Sequence, residues 1–436
     1  MGLHVGVFGH YGNGNLGDEA ITEAATQSAF RLLDADKVTL FSIVPADSAS
    51  RHNLDAYPIR RGRAPVAAGA PKSPPSTPMD PSPSPSTPSA LKRFLKRIPG
   101  LQWCVDTLQQ LVALPSNVSA ERKFLADSKQ ALSDVDVLLV CGSNQFLDNF
   151  GGVWGFPYTI WKWARLCRAT NTQLAFLSIG AGPITNPLSF WMIRKAIQLS
   201  IYHSYRDPGS LHLVESENAN LGGVIAPDLA CNLIFPEQRA SSELDSLKIA
   251  LNPMPVYGDY WFIRDEQRYR AYLNKLADFA EHVAKRQCRL TLFPTQTRDR
   301  DAIRDLLEIL RSRNTALADS ISVADTQKTQ DVMAVIQDAD VIVPTRFHGA
   351  ILGILGRRPV IGVCYQKKAL EALAAAGQEQ YALMLDDFDS SELNRLFDEL
   401  VAEFATVQQQ ISSRADIVRE EINEQYRQVR RRLPAT

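Results

Sequence analysis

The sequence predicts an α/β protein built as two Rossmann-like parallel-sheet domains facing a cleft. Three observations carry that reading. Uncharged strand-like runs alternate with helical stretches in both halves of the 436-residue chain, the pattern of repeated βαβ units. The alternation is interrupted by the polar stretch PEQRASSELDSL and restarts at KIALNP, which marks a domain boundary. Glycine-rich and basic segments follow directly on strand-like runs, and parallel sheets bind ligands at those strand ends.

The elements follow in order. LHVGVFG is the first strand, followed by a glycine turn and a helix from Asp18 to Leu33. In that helix Ile21, Ala24, Ala25, Ser28, Ala29 and Leu32 form a stripe at helical spacing. KVTLFSIV is the second strand. Residues 65–89 are dominated by Pro and Ser, which deny a ladder its donors, and read as a disordered insert. ALKRFLKRI after it sets Leu91, Phe94, Leu95 and Ile98 beside basic residues. It reads as a surface helix, with peripheral membrane contact through 91–98 as the other option. VDVLLVCG, QLAFLSIG, LSIYHSY and GVIAP complete the first domain, residues 1–240. The second domain, 241–410, runs through KIALNP, a helix at 265–285, RLTLFP, a helix at 301–310, ISVAD, a helix at 330–337, ADVIVPT, a helix at 349–355 and PVIGVCY. A charged C-terminal helix occupies 411–436, lying across the domains or joining a homo-oligomer.

Composition narrows the class. A formal net charge of -1 gives no bulk reason for a nucleic-acid partner. The six cysteines are scattered and form no C-x-x-C pair, so buried thiols are expected rather than a disulfide framework. The chain shows neither a signal-like start nor a long apolar run, which reads as a cytoplasmic protein. No H-E-x-x-H, P-loop or G-x-S-x-G pattern occurs, and no metal site is expected.

Chemistry concentrates at two places. Gly12, Gly14 and Gly17 spell G-x-G-x-x-G after the first strand. A dinucleotide fold also needs an acidic residue about 20 residues on; here Asp47 comes later, past Pro45. Asp18 and Glu19 would repel a pyrophosphate at that helix start. Asp18 reads either as an N-cap or as a carboxylate facing a hydroxyl-bearing substrate. The second place is TRFHG. Arg346 and His348 follow a strand end, a cation suited to phosphate or carboxylate beside a group that moves protons near neutral pH. Tyr365, Lys367 and Lys368 follow the next strand. Arg206 in YRDPGS is a second anion clamp or the partner of Asp207. Gly142, Ser143 and Asn144 offer backbone and polar groups at another strand end. Tyr257, Tyr260 and Trp261 are candidate sugar-stacking rings or core.

On these motifs the chain resembles the polysaccharide pyruvyl transferase family. The matching residues are YGNGNLGDEAI with Gly14, Asn15 and Asp18, the Gly142 loop, SIGAGP, Tyr205-Arg206-Asp207, Pro227-Asp228, and Arg346-Phe347-His348-Gly349 with Tyr365 and Lys367-Lys368. Cys141-Gly142-Ser143 is poorer in glycine than the family's usual loop. The resemblance implies a GT-B-like fold and transfer of the pyruvyl group of phosphoenolpyruvate to a saccharide acceptor, lipid-linked in some settings and then at the inner membrane face. It places Arg346, His348, Lys368 and Arg206 on the donor and Asp18 on the acceptor, with no cofactor. The competing readings are a glycosyltransferase of the same fold using a nucleotide sugar, and a sugar-phosphate-binding protein without activity.

Overall fold

The fold comes from a computed structural model that describes residues 2–12, 15–63, 114–215, 220–235, 247–258, 261 and 264–434, without the side chains of 114–117 and 368. The Pro/Ser insert, the 91–98 stretch, Gly14, Tyr260 and most of the expected domain boundary lie outside the described residues.

In the first half, β1 (Leu3–Phe8), α1 (Leu16–Leu32), β2 (Ala35–Ser42), α2 (Pro45–His52) and β3 (Ala56–Pro58) lead into α3 (Leu114–Leu132) and β4 (Val137–Cys141). β5 (Asn144–Phe146), α4 (Phe156–Thr170), β6 (Gln173–Ala181), α5 (Pro187–Ile197), β7 (Tyr202–Tyr205), α6 (Pro208–Val214) and β8 (Val224–Ile225) complete it. Its sheet is parallel throughout, ordered β3-β2-β1-β4-β6-β7-β8 with β5 beside β6. The order reverses between β1 and β4, so the turns after these two strands flank the natural ligand crevice.

The second half runs β9 (Lys248–Asn252), α7 (Glu266–Lys285), β10 (Arg289–Leu292), α8 (Asp299–Arg313), α9 (Thr315–Ser320), β11 (Ser322–Val323), α10 (Thr329–Asp338), β12 (Val341–Pro344) and α11 (Phe347–Leu355). β13 (Gly362–Cys364), α12 (Lys367–Ala375), β14 (Ala382–Met384), α13 (Ser390–Ala402) and α14 (Phe404–Arg432) follow. Its parallel sheet is β11-β10-β9-β12. A parallel bridge from Ile342 to Val360 leads on to the β13-β14 pair. Here the reversal falls between β9 and β12.

Several elements depart from the pattern read in the sequence: β5 forms inside the expected Gly142 loop, α9 has no counterpart in that pattern, and the C-terminal helix begins at Phe404 rather than at 411. β2 stops at Ser42, because Pro45 starts α2 and fixes its first turn; Asn53, at φ 53°, ends it. β3 then adds an edge strand that three residues are too few to announce. Of the cysteines, 141, 167, 231 and 364 are buried and 288 is half-buried, which fits the expected thiol packing.

The two halves share one core. Val5, Ala20 and Ile21 of the first half join Met333, Phe347 and Ile351 of the second in a single buried cluster. Separate clusters cover the outer faces of the two sheets. Apolar packing thus closes most of the facing surface, and polar groups gather at the strand ends. Helix α14 crosses between the halves. Its buried stripe at helical spacing begins with Phe404, Val407 and Ile411 in the second half's outer core. It ends with Val418, Ile422, Tyr426 and Val429 in the shared core. Gln425 on that stripe donates to Ser178 Oγ at 3.0 Å and accepts from Ser204 Oγ at 2.6 Å. Among the described residues no helix is long and apolar enough to cross a membrane.

Candidate active site

The turn after β1 forms one wall. Tyr11 is buried, and its hydroxyl donates to the Cys141 carbonyl at 2.9 Å. The Gly12 amide donates to Glu19 Oε1 at 2.8 Å, while Glu19 Oε2 sits 2.9 Å from His52 Nε2. Glu19 is thereby committed to holding the turn. Asn15 is the N-cap of α1, its Oδ1 accepting from the Gly17 amide at 3.2 Å. The cap is therefore Asn15 and not Asp18, and Asp18 sits inside the first turn with its carboxylate toward the second half. Asn15 Nδ2 donates to Asp18 Oδ2 at 2.8 Å. Burial pushes the Asp18 carboxyl up to about 7, against hydrogen bonds from Ser143 and Asn15 that favour its charged form. Glu19 and Asp228 add like charge and push the same way as burial.

The turn after β4 supports this wall. Gly142 and Ser143 both have positive φ, 48° and 55°. Gln145 Nε2 pins the turn by donating to the Cys141 and Gly142 carbonyls, each at 2.9 Å. Asn144 Nδ2 donates to the Gly182 carbonyl at 2.6 Å. Arg206, after β7, donates to buried Asp228 at 3.2 Å, with Asp207 further off at 3.9 Å. Its close acidic partner is thus Asp228 rather than the expected Asp207, and the side chain also lines the cavity. It reaches that place because residue 180 is glycine; a Cβ there would come within 2.6 Å of Arg206 Nη2.

The second half supplies the facing wall. Arg346 is extended at the N-cap of α11, which begins at Phe347, so His348 stands in the first helical turn rather than in a loop. The helix start turns its first-turn amides and positive potential toward the cavity. Asp299, fully buried at the start of α8, accepts from Arg346 Nε at 2.9 Å and Nη2 at 2.6 Å. The same carboxylate accepts from the Thr295 and Gln296 amides, each at 3.0 Å. Arg346 is thus a charge-compensated, oriented guanidinium. Burial raises the Tyr365 phenol, with Arg346 acting against the rise, so its hydroxyl stays a donor near neutral pH.

The walls meet directly. Leu16 N donates to Thr295 O at 3.3 Å, and Asn15 bridges to Gln296. The Arg206 guanidinium lies 5.4 Å from the Phe347 ring centroid. A Cβ on Gly17 would come within 2.1 Å of His348 Nδ1, so only glycine allows that approach. A cavity of about 180 Å³ lies between them. Asn15, Asp18, Ser143, Asn144 and Arg206 line it from the first half; Thr295, Gln296, Arg346, Phe347, His348 and Tyr365 line it from the second.

Of the residues singled out in the sequence, Asn15, Asp18, Ser143, Asn144, Arg206, Arg346, His348 and Tyr365 come together. Gly142 lies behind Ser143 against Ile21. Lys367 is exposed at the start of α12, off the cavity lining; Gly14 and the Lys368 side chain are outside the described residues. Tyr257 and Trp261 pack on the second half's outer core, and Trp261 meets Tyr365 edge-on at 5.5 Å. Asp299, Thr295 and Gln296 escaped the sequence reading, and Phe347 entered it only as part of the Arg346–Gly349 motif. TRDRD looks like a solvated helix start; the available signal was an Asp four residues after a strand-end Thr, the spacing of a side chain that caps its own turn. Among the described residues no group of three or more His, Cys, Asp or Glu is placed to hold a metal ion.

Comparison with known proteins bears on this geometry. The sequence profile of the polysaccharide pyruvyl transferase family matches residues 15–366. No curated protein matches the sequence. Among solved structures, the Anabaena protein Alr3699/HepE in complex with UDP is similar at TM-score 0.53 and 10% identity, over 98% of each chain. A UDP-GlcNAc 2-epimerase from Methanocaldococcus jannaschii is similar at TM-score 0.51 and 10% identity, over 91% of this chain and 92% of that one. At such identities the likeness is one of fold, and the fold is GT-B-like.

Proposed function

Because the chain belongs to the polysaccharide pyruvyl transferase family, we propose that it transfers the pyruvyl group of phosphoenolpyruvate to hydroxyls of a saccharide, releases phosphate and closes a cyclic ketal. One observation carries the proposal: Asp18, its carboxyl pushed up to about 7, shares one small cavity with His348 and two oriented arginines, Arg206 on its own wall and Arg346 on the facing one. Phosphoenolpyruvate has a carboxylate and a phosphate, which call for two cationic anchors. Arg206 and Arg346, one from each wall, fill that role, with the amides at the start of α11 beside them. Lys368 is a further donor contact by family resemblance.

His348 protonates the methylene carbon, leaving C2 with oxocarbenium character. The acceptor hydroxyl attacks C2 and gives its proton to Asp18. The C2–O bond to phosphate breaks, and the arginines stabilise the charge on the leaving group. A second hydroxyl of the same sugar closes the ketal. Of the two hydroxyl protons, one restores the proton lost by His348 and one leaves on phosphate. The balance needs no electron transfer and hence no redox cofactor. The first half holds the acceptor and the second half most of the donor.

Calorimetric titration of phosphoenolpyruvate, with a panel of nucleotide sugars beside it, tests the donor. The expected result is saturable phosphoenolpyruvate binding that weakens in Arg346→Lys, which keeps the charge opposite Asp299 and loses the fork. Binding of a nucleotide sugar but not of phosphoenolpyruvate would overturn the proposal in favour of a glycosyltransferase.

A further inference from the structure

We infer that the face built by α4 and α5 in the first half is a docking surface for an anionic lipid bilayer. Phe150, Trp154, Leu188 and Trp191 are 57%, 70%, 43% and 46% exposed. A chain of ring contacts joins the two tryptophans: Trp154 meets Tyr158 at 5.4 Å, Tyr158 meets Trp161 at 6.2 Å, and Trp161 meets Trp191 at 5.9 Å. Exposed tryptophans ordinarily cost a water-facing surface; at a membrane interface their amphipathic rings are stabilised among headgroups.

Charge identifies the occupant. Residues 149–205 contain no Asp or Glu, and they contain Lys162, Arg165, Arg168, Arg194 and Lys195. Arg165, Arg168 and Lys195 are exposed on α4 and α5, and the Arg165 guanidinium lies 5.1 Å from the Trp161 ring centroid. Glu121, the acid that reaches this face from α3, is held by Lys162 at 3.0 Å and Arg61 at 3.1 Å. An acid-free, cationic surface set with tryptophans complements negative lipid headgroups. A protein partner would need an acidic face of matching shape; a bilayer needs only the charge.

The face is also close in topology to the cavity. Phe150 and Trp154 belong to the loop between β5 and α4, and β5 carries Asn144, a cavity residue. Asp148 in that loop accepts from the Thr185 and Asn186 amides at 3.0 and 2.9 Å, tying it to the start of α5. The aromatic end of this face therefore lies at the strand-end side of the sheet, where a lipid-linked saccharide could enter, and its basic end, with Arg168 and Lys195 in the last turns of α4 and α5, runs toward the strand starts. The docking itself rests on none of the catalytic assignments, since no cavity residue contributes to the patch.

Co-sedimentation of the full chain with vesicles of phosphatidylcholine and phosphatidylglycerol, without donor or acceptor, tests this. Wild type is expected to bind mixed vesicles, to lose binding with added salt, and to bind pure phosphatidylcholine weakly. Trp154→Ser with Trp191→Ser, and separately Arg165→Glu with Lys195→Glu, should each weaken binding on the order of tenfold while melting cooperatively like wild type. Lys92→Glu with Lys96→Glu, in the basic stretch outside the described residues, should retain binding through this face. Absence of binding by wild type would overturn the inference. So would wild-type binding in both face variants, with loss in the Lys92/Lys96 variant. A dimer dissolved by the tryptophan substitutions, with no vesicle binding, would assign the face to a second copy of the chain.

Discussion

The two walls of the cavity handle charge in opposite ways. On the first-half wall Asp18 is buried with polar but uncharged neighbours at hydrogen-bonding distance, and its carboxyl is pushed up to about 7. On the second-half wall Arg346 is fixed by a fully buried carboxylate that also caps its own turn. The first-half wall adds to its own Arg206–Asp228 pair a carboxyl placed to exchange a proton near neutral pH, whereas the second-half wall keeps its carboxylate, Asp299, committed to holding a cation. A group-transfer site needs both: a proton acceptor whose state can change within a cycle, and an anion clamp whose state cannot.

Replacing the mobile group should have the largest effect. Asp18→Asn is expected to lower phosphate release by about 10²–10⁴-fold and to flatten the limb of the pH–rate profile that rises through about 7 in wild type. Stability should move the other way. The folded state holds the Asp18 proton more tightly than the unfolded chain, so wild type loses stability as pH rises from the ordinary carboxylate range to about 7. Urea denaturation should find the variant more stable at pH 8 by on the order of 2–4 kcal/mol, with the difference closing toward pH 4. A variant equally active at every pH would erase the distinction between the walls.

Breaking the fixed wall comes next. Asp299→Ala strands Arg346 and two backbone amides, and should cost about 3–5 kcal/mol in the same denaturation experiment. Gly17→Ala probes the join. Alanine favours the helix by about 1 kcal/mol, yet its Cβ collides with the His348 ring. Activity should therefore fall about a hundredfold with stability within about 2 kcal/mol of wild type; unchanged activity would show that His348 need not hold its position. The smallest expected effect sharpens the proton side. Ser143→Ala removes a hydrogen bond that favours the Asp18 carboxylate, and the pH–rate limb should shift upward by about one unit.

The mobile wall was largely legible in the sequence and the fixed wall only in part. Asp18, Ser143, Asn144, Arg206, Arg346 and His348 each follow a hydrophobic run, and a strand end is a local pattern that places a residue at the ligand-binding edge. Asp299 follows the run RLTLFP as well, but flanking arginines and aspartates disguise that fully buried carboxylate as a solvated helix start. Asn15 took the capping role that Asp18 also suited, a choice decided by the approach of the second half at Gln296 and Thr295. The shared core was invisible because it depends on partners distant in sequence.

Helix α14 has a consequence for how the protein is made. Ile422, Tyr426 and Val429 complete a core whose other members include Val5 and Ile21. During synthesis the first half leaves the ribosome with that core still lacking both its α10–α11 neighbours and this final stripe. Domains ordinarily fold in turn as they emerge. Here the first-half sheet is sealed by a helix made only after the whole of the second-half sheet, and a chain cut before α14 would hold every residue of the first half without the means to seal it.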